Sequence, residues 1–439
     1  MEDCKIAFMV NSAKSFNKPA IACCALVTAM ALVSGCSQSA NSALSSPSGS
    51  ASNYPGAPDP GYASGGSALA KLGGFYWNVV ANGPGVVALG SVEGVDTLVD
   101  GFDADGNVNA AFGSNGNVKT LGIANGAAGA AVGKDGAIYF LEKLNRQVYA
   151  FKLASNGHQD TGYSCTTNTK CPDTPLPGTT GLNPRSVVAT DDGIVGASAA
   201  FPITAQNSKF VISKLNSQGM PDSDFGCATN NCTGAANTLT GSALAVAKSP
   251  TGYVAAGAQV VAGQPKITVA AYTSNGVPDP SFSSGQVTLT NAPTLNANDP
   301  AMGLAVDPSD RSIVISASTT AGLYLARLSS TGQLVKEFEP APTKVLLGMS
   351  QNLIIDQQGR VVVGGTTGTQ KANNAALVRW NQAGNLDHSF GCQNGNCAGI
   401  SDSLPGAATA IMVDPSDNNY IAAGTDGQGH PTLQKYFAW

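Results

Sequence analysis

Short apolar runs, separated by turns rich in glycine, aspartate and proline, fill the chain from about residue 67 to its end. Residues 303–307 and 312–316 are two such runs, a third follows at 323–328 and a fourth at 343–347. Short runs bounded by turn residues are typical of β-strands. Because no stretch has the spacing of a long amphipathic helix, the pattern predicts an all-β protein built from hairpins.

One sequence frame recurs six times within this pattern. Each copy centres on a glycine, with a large apolar residue four positions before it and an aromatic residue six positions after it. The glycines are Gly106, Gly157, Gly219, Gly276, Gly332 and Gly384, and the aromatic residues are Phe112, Tyr163, Phe225, Phe282, Phe338 and Phe390. The glycines are 51 to 62 residues apart, a period that favours the four-stranded blade of a β-propeller.

The end of the chain indicates how the repeats close. Seven turns join first and second strands, but only six glycine turns follow a third strand. In the frame of the repeat the seventh glycine would be the residue after Trp439, so the last unit lacks its fourth strand. Residues 67–72 stand where that strand would lie in a circular arrangement. We therefore predict a seven-bladed β-propeller over residues 67–439, closed by an N-terminal strand.

The frame is most complete in residues 378–391, where an aspartate and then an aromatic residue follow the glycine. This frame resembles the bacterial delta-sixty repeat, a tandem β-propeller unit found in exported proteins. The resemblance extends over residues 67–439, with Asn109 and Val335 in place of the aspartate in two copies. It implies a propeller fold, but it implies no particular activity and supplies no catalytic residues.

The first 35 residues read as a targeting signal. Two lysines precede an apolar run at residues 20–33, which is too short to span a membrane and ends in Leu-Val-Ser-Gly before Cys36. This segment resembles the signal of bacterial lipoproteins, so Cys36 is the predicted site of lipid attachment. An ordinary signal peptide with an incidental cysteine is the alternative. Ser37, where aspartate would favour the inner membrane, predicts the outer membrane, facing either the periplasm or the cell surface.

Two further features concern this end of the chain. Glu2 and Asp3 are unusual in the basic part of a signal peptide, so Met9 is an alternative to Met1 as the start. Residues 36–66 consist mainly of serine, alanine, glycine and proline. Because such a segment buries little apolar surface, we expect a disordered tether between the lipid and the folded body.

The cysteines are consistent with export. Apart from Cys36 and those of the signal, six cysteines remain, and they form the close pairs Cys165–Cys171, Cys227–Cys232 and Cys392–Cys397. An even set of neighbouring thiols in an exported chain predicts three disulfides. Each should stabilise one loop locally, because small rings remove little entropy from the unfolded chain. A metal site formed by the first two pairs is the alternative.

Charged residues exclude one class of partner and suggest few sites. The formal net charge is −5 and the basic residues form no cluster, so we expect no nucleic-acid partner. Asp307, Asp356 and Asp414 end the first strands of successive units and are weak candidates for a cation site, although aspartate is common at such turns. The repeated aspartates after the turn glycines are Asp160, Asp222, Asp279 and Asp387, and we interpret them as loop-shaping residues.

The first strands of the units should line the axis of a propeller, and apart from Arg185 they contain no ionisable residue before their turns. We therefore expect no cofactor, no metal and no catalysis at the axis. The three histidines, His158, His388 and His430, have no partner at a recognised motif spacing.

The loops between second and third strands vary most, at residues 198–208, 259–266, 366–374 and 425–432. Variable loops on one face suit binding. The leading hypothesis is a monomeric, non-catalytic scaffold, anchored to the membrane, that binds a protein or an envelope polymer. The rivals are a hydrolase or lyase using loop groups such as His430 with Asp426, and a periplasmic assembly factor.

Overall fold

The computed structural model describes residues 53–439, except for a set of short internal gaps. The gaps are residues 71–72, 93–95, 121–127, 167–171, 173, 205–209, 228–231, 298–299, 348–351, 370–371 and 394. The predicted signal peptide at residues 1–35 and the lipid site Cys36 lie outside the described part. Within that part, no helix is long and apolar enough to cross a membrane.

The described chain is all-β, and its helical structure is a single 3-10 turn at Ser283–Gly285. In chain order the strands are β1 (Ser67–Leu69), β2 (Phe75–Asn82), β3 (Gly85–Val92), β4 (Asp96–Phe102), β5 (Asn117–Thr120), β6 (Ala128–Val132), β7 (Ile138–Leu144), β8 (Gln147–Leu153), β9 (Asn183–Ala189), β10 (Gly193–Ala199), β11 (Phe210–Asn216), β12 (Ala235–Leu239), β13 (Ser242–Ser249), β14 (Gly252–Val261), β15 (Gln264–Thr273), β16 (Gln286–Thr288), β17 (Met302–Val306), β18 (Ile313–Thr319), β19 (Gly322–Leu328), β20 (Leu334–Glu337), β21 (Leu346–Leu347), β22 (Leu353–Ile355), β23 (Val361–Thr369), β24 (Ala372–Trp380), β25 (Cys392–Gln393), β26 (Asn396–Cys397), β27 (Leu404–Val413), β28 (Tyr420–Asp426) and β29 (Pro431–Tyr436).

Most sheets are antiparallel meanders, in which neighbours in sequence are neighbours in space. Their strand orders are β2-β3-β4-β5, β6-β7-β8, β9-β10-β11-β12, β13-β14-β15-β16 and β17-β18-β19-β20. A larger sheet has the order β1-β29-β28-β27-β24-β23-β21, with β22 also on β23. It joins two units because β27 pairs with β24 at Leu404 and Pro405 and then with β28 over the rest of its length.

The core lies between neighbouring sheets. One buried cluster, for example, combines Val87 and Leu89 of β3 with Ile138 and Phe140 of β7. The first strands of the units also contact one another, in the pairs β2–β6, β6–β9, β9–β13, β13–β17, β17–β22, β22–β27 and β27–β2. Sheets that pack face to face in this way bury apolar side chains on both surfaces, which explains strands such as β10 that are buried throughout.

The repeated frame forms the same turn in nearly every copy. The glycine has a positive φ, +81° at Gly106 for instance, a conformation that favours glycine. The aromatic residue six positions later packs on the glycine of the next unit. A Cβ atom on Gly276 would lie 2.7 Å from the ring of Phe225, and one on Gly332 would lie 2.9 Å from the ring of Phe282. Gly276 and Gly332 are therefore required both by their own backbone and by the neighbouring ring, whereas the close neighbour of Gly219 is the backbone of Ser164.

The aspartate of the frame ends this turn. The Asp222 N–H donates to the carbonyl of Lys214 (3.1 Å), and the Asp222 Oδ1 accepts the N–H of Asp224 (2.9 Å). Asp160, Asp279 and Asp387 make the same pair of contacts. The repeated aspartates thus shape their loops, as the sequence indicates.

The unit with Val335 departs from the prediction. We expected its fourth strand at residues 343–347, but β20 at Leu334–Glu337 takes that position, and Leu346–Leu347 pairs with β23 of the next unit instead. The physical reason is that valine lacks a carboxylate to accept the N–H group two residues on. Without that hydrogen bond, the chain after the Gly332 turn continues as an extended strand along β19.

The prediction of a disordered tether over residues 36–66 is wrong for residues 53–66. Gly56, Asp59 and Tyr62 have the spacing of the repeat, and Asp59 donates its N–H to the carbonyl of Lys435 (2.9 Å) on the last strand. Tyr62 is buried and contacts Gly106 as the other aromatic residues contact their glycines. β1 then pairs antiparallel with β29. The serine, alanine, glycine and proline content of this segment led to the prediction of disorder, although the glycine, aspartate and aromatic residue of the repeat are present.

We predict that Tyr62→Ala lowers the free energy of unfolding by about 3 kcal/mol, because it removes a buried aromatic ring and leaves a cavity. Urea unfolding of the purified protein measures this. Leu69→Ala in β1 is the matched control, since Leu69 is 52% exposed and its loss should cost only about 0.5 kcal/mol. Equal effects of the two changes would show that residues 53–66 are not packed on the body.

Candidate functional site

A cavity of about 520 Å³ lies where the first strands of the units meet. Its lining comes from β2, β6, β9, β13, β17, β22 and β27. Valine, alanine, leucine, isoleucine and methionine make up most of this wall, with Val132, Leu304 and Met412 as examples. The apolar residues of the first strands therefore form the wall of the cavity.

Two ionisable residues line the cavity, Arg185 and Lys248. The prediction that Arg185 is the one ionisable residue of the first strands is wrong, because β13 extends to Ser249 and includes Lys248. Arg185 is buried, its Nη2 donates to the carbonyl of Pro300, and its guanidinium lies 4.8 Å from the ring centre of Phe201. Stacking on an aromatic face and a carbonyl acceptor offset part of the cost of burying this charge. Arg185 is thus held by the protein itself, on the side where β9 begins.

Lys248 lies near the end of β13 and is largely exposed. Its Nζ is 3.4 Å from Asp191 Oδ1, and the same oxygen is 2.8 Å from Lys134 Nζ. Hydrogen bonds and charge from Lys134, followed by those from Lys248, lower the pKa of the Asp191 carboxyl group. Two lysines therefore share the carboxylate of Asp191 at this mouth of the cavity.

The three aspartates named as weak candidates for a cation site are each in an ion pair. Asp307 pairs with Arg327 Nη1 (2.9 Å) and Asp414 pairs with Lys435 Nζ (2.7 Å). Asp356 contacts Arg360 Nε (2.6 Å) and accepts the Tyr420 hydroxyl. Among the described residues, no three carboxylates, histidines or cysteines lie close enough to hold a metal ion. Each aspartate has a basic partner of its own, so the three do not converge.

These ion pairs repeat around the molecule. A lysine or arginine lies on the third strand, five positions before the turn glycine, at Lys152, Lys214, Arg327 and Arg379, and Lys435 has the corresponding position on the last strand. Lys214 joins the two turns of its unit, with 2.8 Å to Asp192 and 2.8 Å to Asp222. Burial opposes protonation of Lys435, but Asp414 and Asp417 outweigh it and raise the pKa of the ammonium group. The basic residues were visible in sequence, but their partners were not.

Arg327 is the exception within this set. Its Nε and Nη2 atoms are buried and have no hydrogen-bond partner among the described residues. In the unit of Arg379 the equivalent Nε contacts Asp387 (2.8 Å). Val335 stands at the position of that aspartate, so Arg327 has no carboxylate from the outer turn, and its Nη1 contacts Asp307 (2.9 Å) and Asp310 (3.7 Å) of the inner turn.

The histidines lie apart in the described structure. His158 lines a second cavity of about 330 Å³ with Lys152 and Asp160, and the His388 Nδ1 lies 3.2 Å from the carbonyl of Cys397. The His430 Nδ1 lies 3.0 Å from Asp426 Oδ2, which is the pair named by the enzyme hypothesis.

The Asp426 carboxylate mainly shapes its hairpin. Its Oδ1 accepts the N–H groups of Gln428 and His430, both at 2.8 Å. Burial opposes ionisation of Asp426, but these N–H groups and the His430 ring outweigh it and lower the pKa of the carboxyl group. The hydrogen bonds found in the described part of the chain do not connect the His430 ring to a hydroxyl or thiol nucleophile.

Two predicted disulfides are present. Cys227 is joined to Cys232, and Cys392 is joined to Cys397 across the β25–β26 ribbon. Cys165 is also in a disulfide, while Cys171 lies outside the described residues. Each bond closes a loop directly after an outer turn, so the disulfides stabilise loops locally.

One protein family and two solved structures resemble parts of this chain. A family described as "Domain of unknown function (DUF5122) beta-propeller" matches residues 359–390. No curated protein matches the chain. A solved structure of Kuenenia stuttgartiensis hydrazine synthase is similar over 85% of this chain and 98% of its own, with a TM-score of 0.51 and 10% identity. A protein of unknown function from Bacteroides caccae covers 73% of this chain and 91% of its own, with a TM-score of 0.38 and 13% identity. The family match and the all-β sheets of the described residues support a β-propeller repeat fold, and these matches establish no activity.

We predict that Val335→Asp raises the free energy of unfolding by about 1 kcal/mol, because a carboxylate at this position can accept from the unused donors of Arg327. Urea unfolding measures the change. Val277→Asp is the control, since its exposed position on another outer turn has no arginine in the equivalent place. The gain should disappear in an Arg327→Met background, and its persistence there would contradict this account.

The ion pair of Arg379 predicts a dependence on pH. Burial of Asp387 opposes its ionisation, but hydrogen bonds from Ser389 and the charge of Arg379 outweigh it and lower the pKa of the carboxyl group. A lowered pKa contributes stability above the unfolded pKa of about 4, and this contribution is lost as the pH falls through the folded value.

Asp387→Asn should therefore cost about 2 kcal/mol at neutral pH, and the difference from the unchanged protein should shrink on acidification below about pH 4. Urea unfolding at several pH values measures it. Asp224→Asn, at an exposed position, is the control and should have little effect. A difference that stays constant with pH would refute a role for the charge.

Proposed function

We propose that this protein is a seven-bladed β-propeller that acts as a non-catalytic binding scaffold of the cell envelope, anchored to the outer membrane through lipidated Cys36. The proposal combines the fold with the targeting signal and the disulfides. The apolar axis is the observation that carries it. Lys214, Arg327 and Lys435 are engaged in ion pairs with aspartates of their own units, and the loops are the proposed interaction surface.

The closed ring is supported by two circular sets of contacts. The first strands contact one another in a cycle that returns from β27 to β2. In the outer turns, the residue after the aromatic position usually donates its N–H to a carbonyl beside the next turn glycine. These bonds are Ala63 to Asp105, Gly113 to Asn156, Ser164 to Gln218, Gly226 to Asn275, Glu339 to Gly384 and Gly391 to Pro55. In the remaining unit the Ser283 hydroxyl donates to the carbonyl of Thr331.

The N-terminal segment completes the seventh unit in this proposal. Gly56 takes the place of a turn glycine beside the last strand, with its N–H bonded to the carbonyl of Phe437 (2.8 Å). Pairing of β1 with β29 then supplies the fourth strand. Joining the first and last parts of the chain in one sheet leaves no gap in the ring.

Each of the two alternative functions, an enzyme and an assembly factor, is favoured by one observation. A hydrolase or lyase on the loop face is favoured by the His430–Asp426 contact at 3.0 Å. An assembly factor that docks partners on a blade edge is favoured by the exposed Leu334 and Val335 of β20. The partner of the scaffold would be a protein or an envelope polymer.

Fractionation of cells that produce the full chain tests the anchor. Cys36→Ser should move the protein from the membrane to the soluble fraction, and Ser37→Asp should move it from the outer to the inner membrane. Cys392→Ser with Cys397→Ser is the control and should change neither. Membrane association that survives Cys36→Ser would overturn the lipid anchor.

Capture of envelope components tests the binding role. Material that binds specifically should be lost on changing the loop residues Gln428 and His430, and should be retained after changes at the outer turns, such as Asn385→Ala. Turnover of any captured component that is abolished by His430→Ala would establish the enzyme alternative instead.

A further inference from the structure

We propose that the axial cavity binds a single-chain amphiphile with one carboxylate, such as a medium-chain fatty acid. This site is distinct from the loop face, and the inference holds with or without a lipid anchor. It rests on the shape, the wall and the charges of the cavity.

The cavity has the size and the lining of a small-molecule site. The cavity volume of about 520 Å³ lies within the usual range for ligand cavities, roughly 300 to 1,000 Å³. Val132, Leu304, Ile354 and Met412 line it while remaining partly exposed. Apolar side chains left partly exposed inside a cavity gain free energy when an apolar ligand displaces the water beside them.

The charges of the lining have one sign. Arg185 and Lys248 are its ionisable residues, and both are cations. Their separation follows from the register of adjacent strands, in which the Ser186 hydroxyl contacts the backbone of Val246. Arg185 is one residue before this contact and Lys248 is two residues after it. At about 3.3 Å per residue the two positions are roughly 10 Å apart along the axis.

The carboxylate of the ligand would bind at Lys248. Arg185 is buried and already contacts Phe201 and the carbonyl of Pro300, whereas Lys248 is exposed at the mouth. Asp191 is nearer to Lys134 (2.8 Å) than to Lys248 (3.4 Å). The Asp191–Lys134 ion pair can therefore persist while the Lys248 ammonium group binds the carboxylate of the ligand. The positive charge of both lining residues disfavours cationic amphiphiles.

Calorimetric titration of the purified chain with decanoate, below its micelle concentration, tests the site. We expect one site per chain. Each methylene added from octanoate to decanoate should tighten the Kd roughly fourfold, because it buries more apolar surface. Decanol, which lacks the charge, should bind roughly tenfold more weakly than decanoate.

Two lysine variants separate the cavity from the surface. Lys248→Met should weaken decanoate binding roughly tenfold, through loss of the ion pair. Lys134→Met is the matched control, since Lys134 contacts the same Asp191 but does not line the cavity, and its Kd should change less than about twofold. Equal weakening by both variants would show a nonspecific effect of surface charge and would overturn the proposal.

A third variant tests the wall. Ala81 lines the cavity and lies outside the buried clusters of the core, so Ala81→Phe should fill the space and abolish binding while thermal unfolding stays close to that of the unchanged protein. Decanoate binding that survives this change, or decyltrimethylammonium binding as tightly as decanoate, would also overturn the proposal.

Discussion

The packing of an aromatic ring on the turn glycine of the next unit is the interaction on which the rest of the structure depends. At Gly276 and Gly332 a Cβ atom would lie within 3 Å of the neighbouring ring, so any other residue would push the units apart. The same turn orients the third and fourth strands of its own unit. One contact therefore connects local backbone geometry with the spacing between sheets.

This constraint also explains how charge is distributed. The third strand brings a lysine or arginine between the two turns of its unit, where aspartates are already needed to shape the loops. Lys214 satisfies both carboxylates at 2.8 Å. Because buried charges require partners, the buried lysines and arginines of the third strands pair with aspartates of their own units, and the first strands can remain largely apolar. The cavity where the first strands meet is apolar for the same reason. Arg185 and Lys248 are informative because they are charged residues in this apolar lining.

The repeat also shows how a single substitution changes the local fold. With Val335 in place of aspartate, the glycine turn remains, but the loop that follows it in the other copies is replaced by strand β20, and Arg327 keeps two buried donors without an acceptor. The same unit exposes Leu334 and Val335 at its edge. An irregular copy in an otherwise regular array is thus where the described chain has unsatisfied donors and exposed apolar side chains together.

The sequence by itself determined the all-β class, the frame of the turns, the apolar first strands and the close cysteine pairs, because each depends on residues near one another in the chain. The copy at Gly56, Asp59 and Tyr62 has the same local signal, but its composition favoured disorder, and only its hydrogen bond to Lys435 established its place. The partners of the aspartates, the position of β20 and the joining of Arg185 and Lys248 in one cavity were decided by the tertiary structure. These features depend on contacts between distant segments, which local propensities do not encode.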